Sequence, residues 1–275
     1  MQVNSPKVSI LVPTYNSGQF LRQTLESILT QTYSNIEIVV CDDLSKDDSY
    51  AIAQSFTDPR IRLTRNEVNL GAKGNWNQTL QLASGELIKI MGQDDVLDRD
   101  CIQAQVDVFN RDIAKEIALV VCQRRVVNAS NRVLLEPKKP RLSGTFERER
   151  AAKRFVRAGN NPIGEPVVGM FRKEAALATA GFSEEFPYLI DADFWFKLLD
   201  HGSLVAQSQT LCSFRISGTS WSARIGRKQF DQYMGFVRSL KQSGKYNLNQ
   251  IDLLISTIRC AANTLARLGF FLFLR

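Results

Sequence analysis

Apolar and polar positions along the chain fall into two alternating textures. Short apolar runs at "KVSILVPTYN" (7–16), "NIEIVVCDD" (35–43) and "ELIKIMG" (86–92), with a shorter one at "IRLTRN" (61–66), read as strands. The segments between them carry apolar residues at helical spacing. Residues 17–31 place Phe20, Leu21, Leu25, Ile28 and Leu29 on one face, with Ser17 at the N-cap position. "KDDSYAIAQSF" (46–56) reads as a helix with an acidic first turn, and "KGNWNQTLQLAS" (73–84) as a helix stopped by Gly85. A repeating strand–helix order of this kind predicts an α/β fold, with a mostly parallel central sheet flanked by helices.

Ligands in such sheets collect beyond the carboxyl ends of the strands. The first strand ends at Pro13, Thr14 and Tyr15, the second at Asp42 and Asp43, and the fourth at Asp94 and Asp95. Three strands therefore deliver an aromatic and two carboxylate pairs to one edge. The adjacent carboxylates of "KIMGQDDVLD" repel one another unless something positive sits beside them.

The second half is more mixed. "ERERAAKRFVRA" (147–158) and "ADFWFKLLDHG" (192–202) read as helices, and "VVGMFRKEAALATAG" (167–181) as a strand running into a helix. "LVAQSQTLCSFRIS" (204–217) contains strand-like stretches, and a helical tail follows. The last segment, "TLARLGFFLFLR", is apolar, too short to span a bilayer, and flanked by Arg267 and Arg275; it can pack on the domain or lie in a membrane interface.

Composition removes several chemistries. The five cysteines (41, 101, 122, 212 and 260) are far apart, with no C-x-x-C pair, which fits reduced thiols in a cytosolic chain and opposes a zinc site. His201 is the one histidine, so a histidine-rich metal centre is excluded and acid–base work falls to carboxylates, lysine or tyrosine. No basic-apolar signal pattern opens the chain. The net charge of +7 admits nucleic acid, an anionic membrane surface or anionic small substrates. Basic residues cluster at 138–157 and 224–228, but the first cluster is diluted by glutamates and lacks interleaved aromatics, so no nucleic-acid partner is expected. The G-x-G-x-x-G turn of dinucleotide folds and the phosphate loop of NTPases are both absent, which leaves oxidoreductase and NTPase readings without their main support. An aromatic that stacks on a base, a carboxylate that accepts base or ribose hydrogen bonds, and a carboxylate that holds a hard cation together suit a nucleoside-diphosphate donor activated by a metal.

In "VSILVPTYN", "IEIVVCDDLSKDD", "NEVNLGAKGNWNQTLQLASGELIKIMGQDD", "IGEPVVGMFRKEAALATAGFSEEFPYLIDADFWFKLLDHG" and "FRISGTS", taken in that order, the chain resembles the family 2 glycosyltransferases, which have the GT-A fold. The resemblance implies a GT-A domain over 1–222, with a nucleotide-binding half at about 1–100 and an acceptor half at about 101–222, followed by a helical extension at 223–275. It implies an inverting, metal-dependent transfer from a nucleotide-diphosphate sugar, most typically a UDP-sugar, to a saccharide or lipid-linked acceptor in cell-surface polysaccharide or glycolipid synthesis. The divalent metal would be Mn or Mg. The place of action would be the cytoplasm, with peripheral contact at the inner face of the membrane.

Residue by residue, the resemblance puts Pro13, Thr14 and Tyr15 around the base and ribose, and Asp43 on the base edge with Asp42 beside it. Lys73 and Asn77 lie in the segment that closes over the nucleotide. Asp94 would face the ribose, Asp95 would be the metal ligand, and Asp191 the catalytic base, with Asp193 as its competitor. Four positions depart from the pattern: Gln93 replaces the first carboxylate of D-x-D, Leu44 a glycine, Trp76 an arginine, and Ser217 a histidine. The last departure makes Arg215 the expected phosphate partner. A sugar nucleotidyltransferase, and a catalytically silent sugar- or partner-binding module, are the alternatives.

Overall fold

A computed structural model describes residues 5–216 and 228–273, with side chains described as far as 266. Strands β1 (Val8–Thr14), β2 (Ile36–Asp42), β3 (Ile61–Arg65) and β4 (Leu87–Ile90) run parallel, as the alternating pattern predicts. All seven residues of β1 are buried, because helices cover both faces of a parallel sheet. Register sets the site: Thr14 pairs with Asp42 across β1 and β2, and Leu11 pairs with Ile90 across β1 and β4. The carboxyl ends of three strands thereby lie side by side.

The sheet continues through the second half. To the two-residue β5 (Val96–Leu97) are added β6 (Ile117–Val127), β7 (Val133–Leu135), β8 (Gly144–Phe146), β9 (Gly169–Arg172) and β10 (Ser203–Arg215). The order is β3-β2-β1-β4-β9-β6-β10-β5, with β7 on β6 and β8 on β10. Strand β9 is antiparallel to both β4 and β6, while β6 and β10 run parallel. The nine α-helices of the described residues are α1 (Gly18–Leu29), α2 (Ser49–Gln54), α3 (Gly71–Gln81), α4 (Cys101–Arg111), α5 (Arg148–Ala158), α6 (Lys173–Leu177), α7 (Ile190–Leu198), α8 (Gln229–Gln242) and α9 (Gln250–Phe273).

Two local expectations change. Ser17 occupies the N-cap position of α1, but its hydroxyl makes no capping bond and is buried without a partner. Gly85 does not stop α3, which ends at Gln81 with Leu82 as its cap. An added Cβ at Gly85 would stand 2.6 Å from the Lys7 carbonyl, so this glycine permits the chain to pass against β1.

Lys89, inside the apolar run of β4, is fully buried. Its ammonium donates to Gln105 Oε1 at 2.9 Å and to the carbonyls of Val167 and Gly169 at 2.7 and 3.3 Å. Three donors meet three acceptors, which is what makes a buried lysine tolerable. The bonds fasten the strand leading into Asp94 to the segment that follows Glu165.

The C-terminal helices dock on α5. Tyr233 of α8 donates to the Phe155 carbonyl at 2.7 Å, and Asp252 of α9 pairs with Arg157 at 2.6 Å. Among the described residues no helix is long and apolar enough to cross a membrane.

Candidate active site

Strand β1 ends in a turn held by an amide. Tyr15 N–H donates to Gln93 Oε1 at 2.5 Å, and Gln93 Nε2 donates back to the Tyr15 carbonyl at 3.0 Å. A carboxylate at position 93 can accept but cannot donate, so the departure from D-x-D supplies a two-way clamp that aspartate cannot. Tyr15 is 40% exposed, which leaves its ring available for stacking. Pro13 and Thr14 are buried beneath it, and Thr14 Oγ1 is turned inward onto the Val12 carbonyl at 3.0 Å.

At the end of β2 the two aspartates divide their work. Asp43 accepts from Asn66 Nδ2 and Leu70 N, each at 2.8 Å, and from Gly71 N at 2.9 Å. It therefore anchors the amino end of α3, where backbone N–H groups lack helical partners. Asp42 Oδ2 accepts from Ser45 N at 3.1 Å and faces Arg65 Nε at 3.2 Å, but its Oδ1 is buried with no partner. The unpartnered acceptor at this strand end, fully buried, belongs to Asp42 rather than Asp43. Leu44 follows with φ of 61°, so the turn keeps the left-handed conformation despite lacking glycine.

The turn after β4 brings Asp94 and Asp95 together around Gly92. A Cβ at Gly92 would stand 2.6 Å from Asp95 Oδ2 and 3.1 Å from Asp94 Oδ1, so both carboxylates converge on space that only glycine leaves empty. Burial pushes the Asp95 carboxyl well above its usual range, and the neighbouring Asp94 charge adds to this. Burial also raises Asp94, against the pull of Arg215. Among the described residues no third histidine, cysteine, aspartate or glutamate completes a protein cage. One or two carboxylates with the remaining positions left to substrate phosphate is the donor set hard cations use at nucleotide sites, so these residues fit a divalent metal. Gln93, bonded to Tyr15, is not among the donors.

Arg215 stands behind this turn, buried, with its guanidinium over the Phe20 ring. Its Nε donates to the Asp94 carbonyl at 2.7 Å, Nη1 to Asn128 O at 2.9 Å, and Nη2 to Gln23 Oε1 at 2.8 Å, while its backbone N–H holds Asp95 Oδ1 at 3.0 Å. The structure thus places Arg215 as the support of the two-aspartate turn, with its donors turned to the protein rather than to the cleft.

Asp191, in the first turn of α7, is 9% exposed. Its Oδ1 accepts from Ala192 N at 2.7 Å and its Oδ2 from Asn161 Nδ2 at 3.2 Å. Burial, together with the charge of Glu165, pushes its pKa up to about 7. Burial opposes ionisation of Glu165 too, but Arg124 grips that carboxylate with two guanidinium bonds and holds it down at about 2. Arg124 and Glu165 also act on Asp95, so one charge network joins the metal-type carboxylates to Asp191. The rival, Asp193, lies 2.6 Å from Lys197 Nζ, in an ion pair too oblique to count as a hydrogen bond.

Lys73 is exposed on the first turn of α3. The Asn77 amide is used up by the Phe182 backbone, donating to its carbonyl at 3.0 Å and accepting its N–H at 2.9 Å, and so is not brought to the cleft. Trp76 packs edge-on against Phe182, an apolar contact where an arginine was the expectation. Ser217, most of the 224–228 cluster and the side chains from Arg267 onward lie outside the described residues. Sequence reading missed Arg124, Asn161 and Lys89, which sit far along the chain from the groups they hold. The one signal was a charged residue inside an apolar strand.

A mixed sheet flanked by helices, with an aromatic and paired aspartates at its strand ends, defines the GT-A class of nucleotide-sugar transferases. The chain matches the model of glycosyl transferase family 2 over residues 9–177, and it belongs to that family. An uncharacterized protein of Mycobacterium tuberculosis is 34% identical over 203 residues, 70% of this chain; the chain spans 62% of that relative's length. The Escherichia coli UDP-Glc:alpha-D-GlcNAc-diphosphoundecaprenol beta-1,3-glucosyltransferase WfgD is 38% identical over 37% of this chain and 40% of its own. Among solved structures, S. aureus TarS in complex with UDP superimposes with a TM-score of 0.66 at 18% identity, covering 92% of this chain and 70% of TarS. The mannosyltransferase PcManGT of Pyrobaculum calidifontis, in complex with GDP-Man and Mn2+, gives 0.63 at 19%, covering 98% and 81%. These likenesses carry the fold.

Proposed function

We propose that the chain transfers a sugar from a UDP-sugar to a hydroxyl of a lipid-linked saccharide, with inversion, in cell-surface glycan synthesis. The observation that carries this reading is the single charge network from Asp94 and Asp95 through Arg124 and Glu165 to Asp191. Tyr15 stacks on the base, Pro13 and Thr14 floor the pocket, and the buried, unpartnered oxygen of Asp42 is the acceptor left for base or ribose. Asp43 acts by holding α3 and its exposed Lys73 at the mouth. Asp94 and Asp95 would hold Mn2+ or Mg2+, whose chemistry when bound is to neutralise charge on the departing diphosphate. Arg215 positions that pair.

Asp191 is the general base. A carboxyl titrating near 7 is both substantially ionised and strongly basic at neutral pH, the compromise general-base catalysis favours. It takes the acceptor hydroxyl proton as that oxygen bonds to the anomeric carbon and the bond to the diphosphate breaks on the opposite face. Asn161 and Ala192 N–H aim it. A relative that acts on a diphosphoundecaprenol-linked sugar supports the acceptor class. Such an acceptor places the enzyme at the cytoplasmic face of the membrane.

The test offers the full chain a panel of UDP-sugars and GDP-mannose with a lipid-diphosphate-linked N-acetylglucosamine, with Mn2+ or with EDTA. Metal-dependent transfer from a UDP-sugar is expected. Absence of both transfer and donor hydrolysis for every pair would contradict the reading.

A further inference from the structure

A groove of about 950 Å³ runs between α5, the 140–147 segment and α9, away from the Asp94–Asp95 turn. Arg141, Arg150, Lys153, Arg154 and Arg259 line it, with Glu147 and Glu149 as the opposing charges. Arg150, Lys153 and Arg154 are exposed neighbours on one face of α5. Lys153 and Arg154 make no hydrogen bond or ion pair among the described residues, although Lys153 lies within electrostatic range of Asp252, which Arg157 already pairs. Like charges one turn apart repel, and an anion laid across them relieves the repulsion.

Two features separate this groove from an ordinary solvated basic face. Its walls include Leu142, Phe146 and Ile255, so cations and hydrocarbon line the same space. Ile251, Leu254, Ile258 and Leu265 then continue along α9 as exposed apolar side chains. A second feature ties it to the chemistry: Arg141, at one end, acts on Glu165, which in turn acts on Asp191. The groove therefore runs from the Arg141 end, which is electrostatically linked to Glu165, toward the apolar stripe.

We infer that this groove binds the diphosphate of a lipid-linked acceptor, with the hydrocarbon following α9. The inference rests on the proposed transfer reaction and adds to it a second phosphate subsite, separate from the one facing the donor. Lys153 and Arg154 supply charge-assisted bonds to phosphate oxygens, and Leu142, Phe146 and Ile255 take the first hydrocarbon atoms.

Farnesyl diphosphate, titrated calorimetrically into the full chain in EDTA, is the probe, with farnesol and inorganic pyrophosphate as partial ligands. The wild type should bind farnesyl diphosphate more tightly than either fragment. Lys153→Glu/Arg154→Glu should weaken it by at least about tenfold, the equivalent of one charge-assisted bond, while UDP affinity with Mn2+ and the circular dichroism spectrum stay unchanged. Equal affinity in the variant, or displacement of farnesyl diphosphate by UDP, would overturn the proposal. So would retention on phosphatidylglycerol vesicles without farnesyl diphosphate binding, which would assign the face to general membrane attraction. Loss of UDP binding in the wild type, with farnesyl diphosphate binding intact, would instead sink the transfer reading alone.

Discussion

Replacing Asp191 with asparagine should slow transfer strongly yet stabilise the protein, and the stabilisation should grow with pH. An ordinary aspartate titrates at 3.8, whereas burial and the charge of Glu165 lift Asp191 to about 7. Between these values the folded state binds more protons than the unfolded one, so ionising Asp191 destabilises the fold progressively as pH rises from about 4 to 7. The full penalty is about 4 kcal/mol, from roughly three units at 1.36 kcal/mol each. At about pH 5 only about 1.5 kcal/mol of it is present. Asparagine avoids the penalty but meets Asn161 Nδ2 with its own NH2 group, and Asn161 cannot flip because both ends of its amide are bonded to Gly164. That loss costs about 1 kcal/mol at every pH. Urea unfolding of wild type and Asp191→Asn should therefore show a near-equal pair at about pH 5. The variant should lead by about 2–3 kcal/mol at about pH 8.5. Its transfer rate should fall by about 10²–10⁴. A stability difference that does not change with pH would refute the buried, raised aspartate, and with it the argument for the base.

Four further outcomes follow from the same contacts. Gly92→Ala puts a methyl 2.6 Å from Asp95 Oδ2; Mn2+-dependent UDP binding, followed by calorimetry, should be lost while unfolding stays cooperative. Gln93→Glu keeps the bond from Tyr15 N–H but replaces the donor to the Tyr15 carbonyl with a repelling oxygen, so UDP affinity should fall about tenfold, for a loss of about 1–2 kcal/mol. Lys89→Met removes the ammonium from two buried carbonyls and leaves Gln105 Oε1 with only the weak Cys101 thiol donor, and should cost about 3 kcal/mol in urea unfolding. Leu44→Val forces a β-branched residue into φ of 61°, costing about 1–2 kcal/mol in the same assay.

The first half of the fold was legible because each parallel strand is a local apolar run with helical spacing after it. β1, β2, β3 and β4 lie where those runs stand. β6 carries an apolar run of its own, "IALVVCQRRVV", but the sequence reading did not mark it as a strand, and its parallel partner β10 lies far along the chain. At the site, residue types and strand ends were readable, but the direction in which side chains spend their hydrogen bonds was not. Asp43 and Arg215 look like ligand contacts in sequence, yet their bonds go to α3 and to the Asp94 turn. The amide of Asn77 likewise closes on Phe182. The choice of Asp191 over Asp193 depends on Lys197, one turn further on, which pairs with the second aspartate. Glu165 lies in the loop before β9, and its place in the charge network appears only when Arg124, from β6, comes into bonding range.

The most direct test of the central claim, that Tyr15, Asp42, Asp94 and Asp95 together form a metal-assisted nucleotide site, is calorimetric titration of UDP into wild type and Asp95→Asn, with Mn2+ and with EDTA. The account predicts binding to the wild type that needs Mn2+ and is lost in the variant. Equal UDP binding by both proteins, indifferent to the metal, would contradict it.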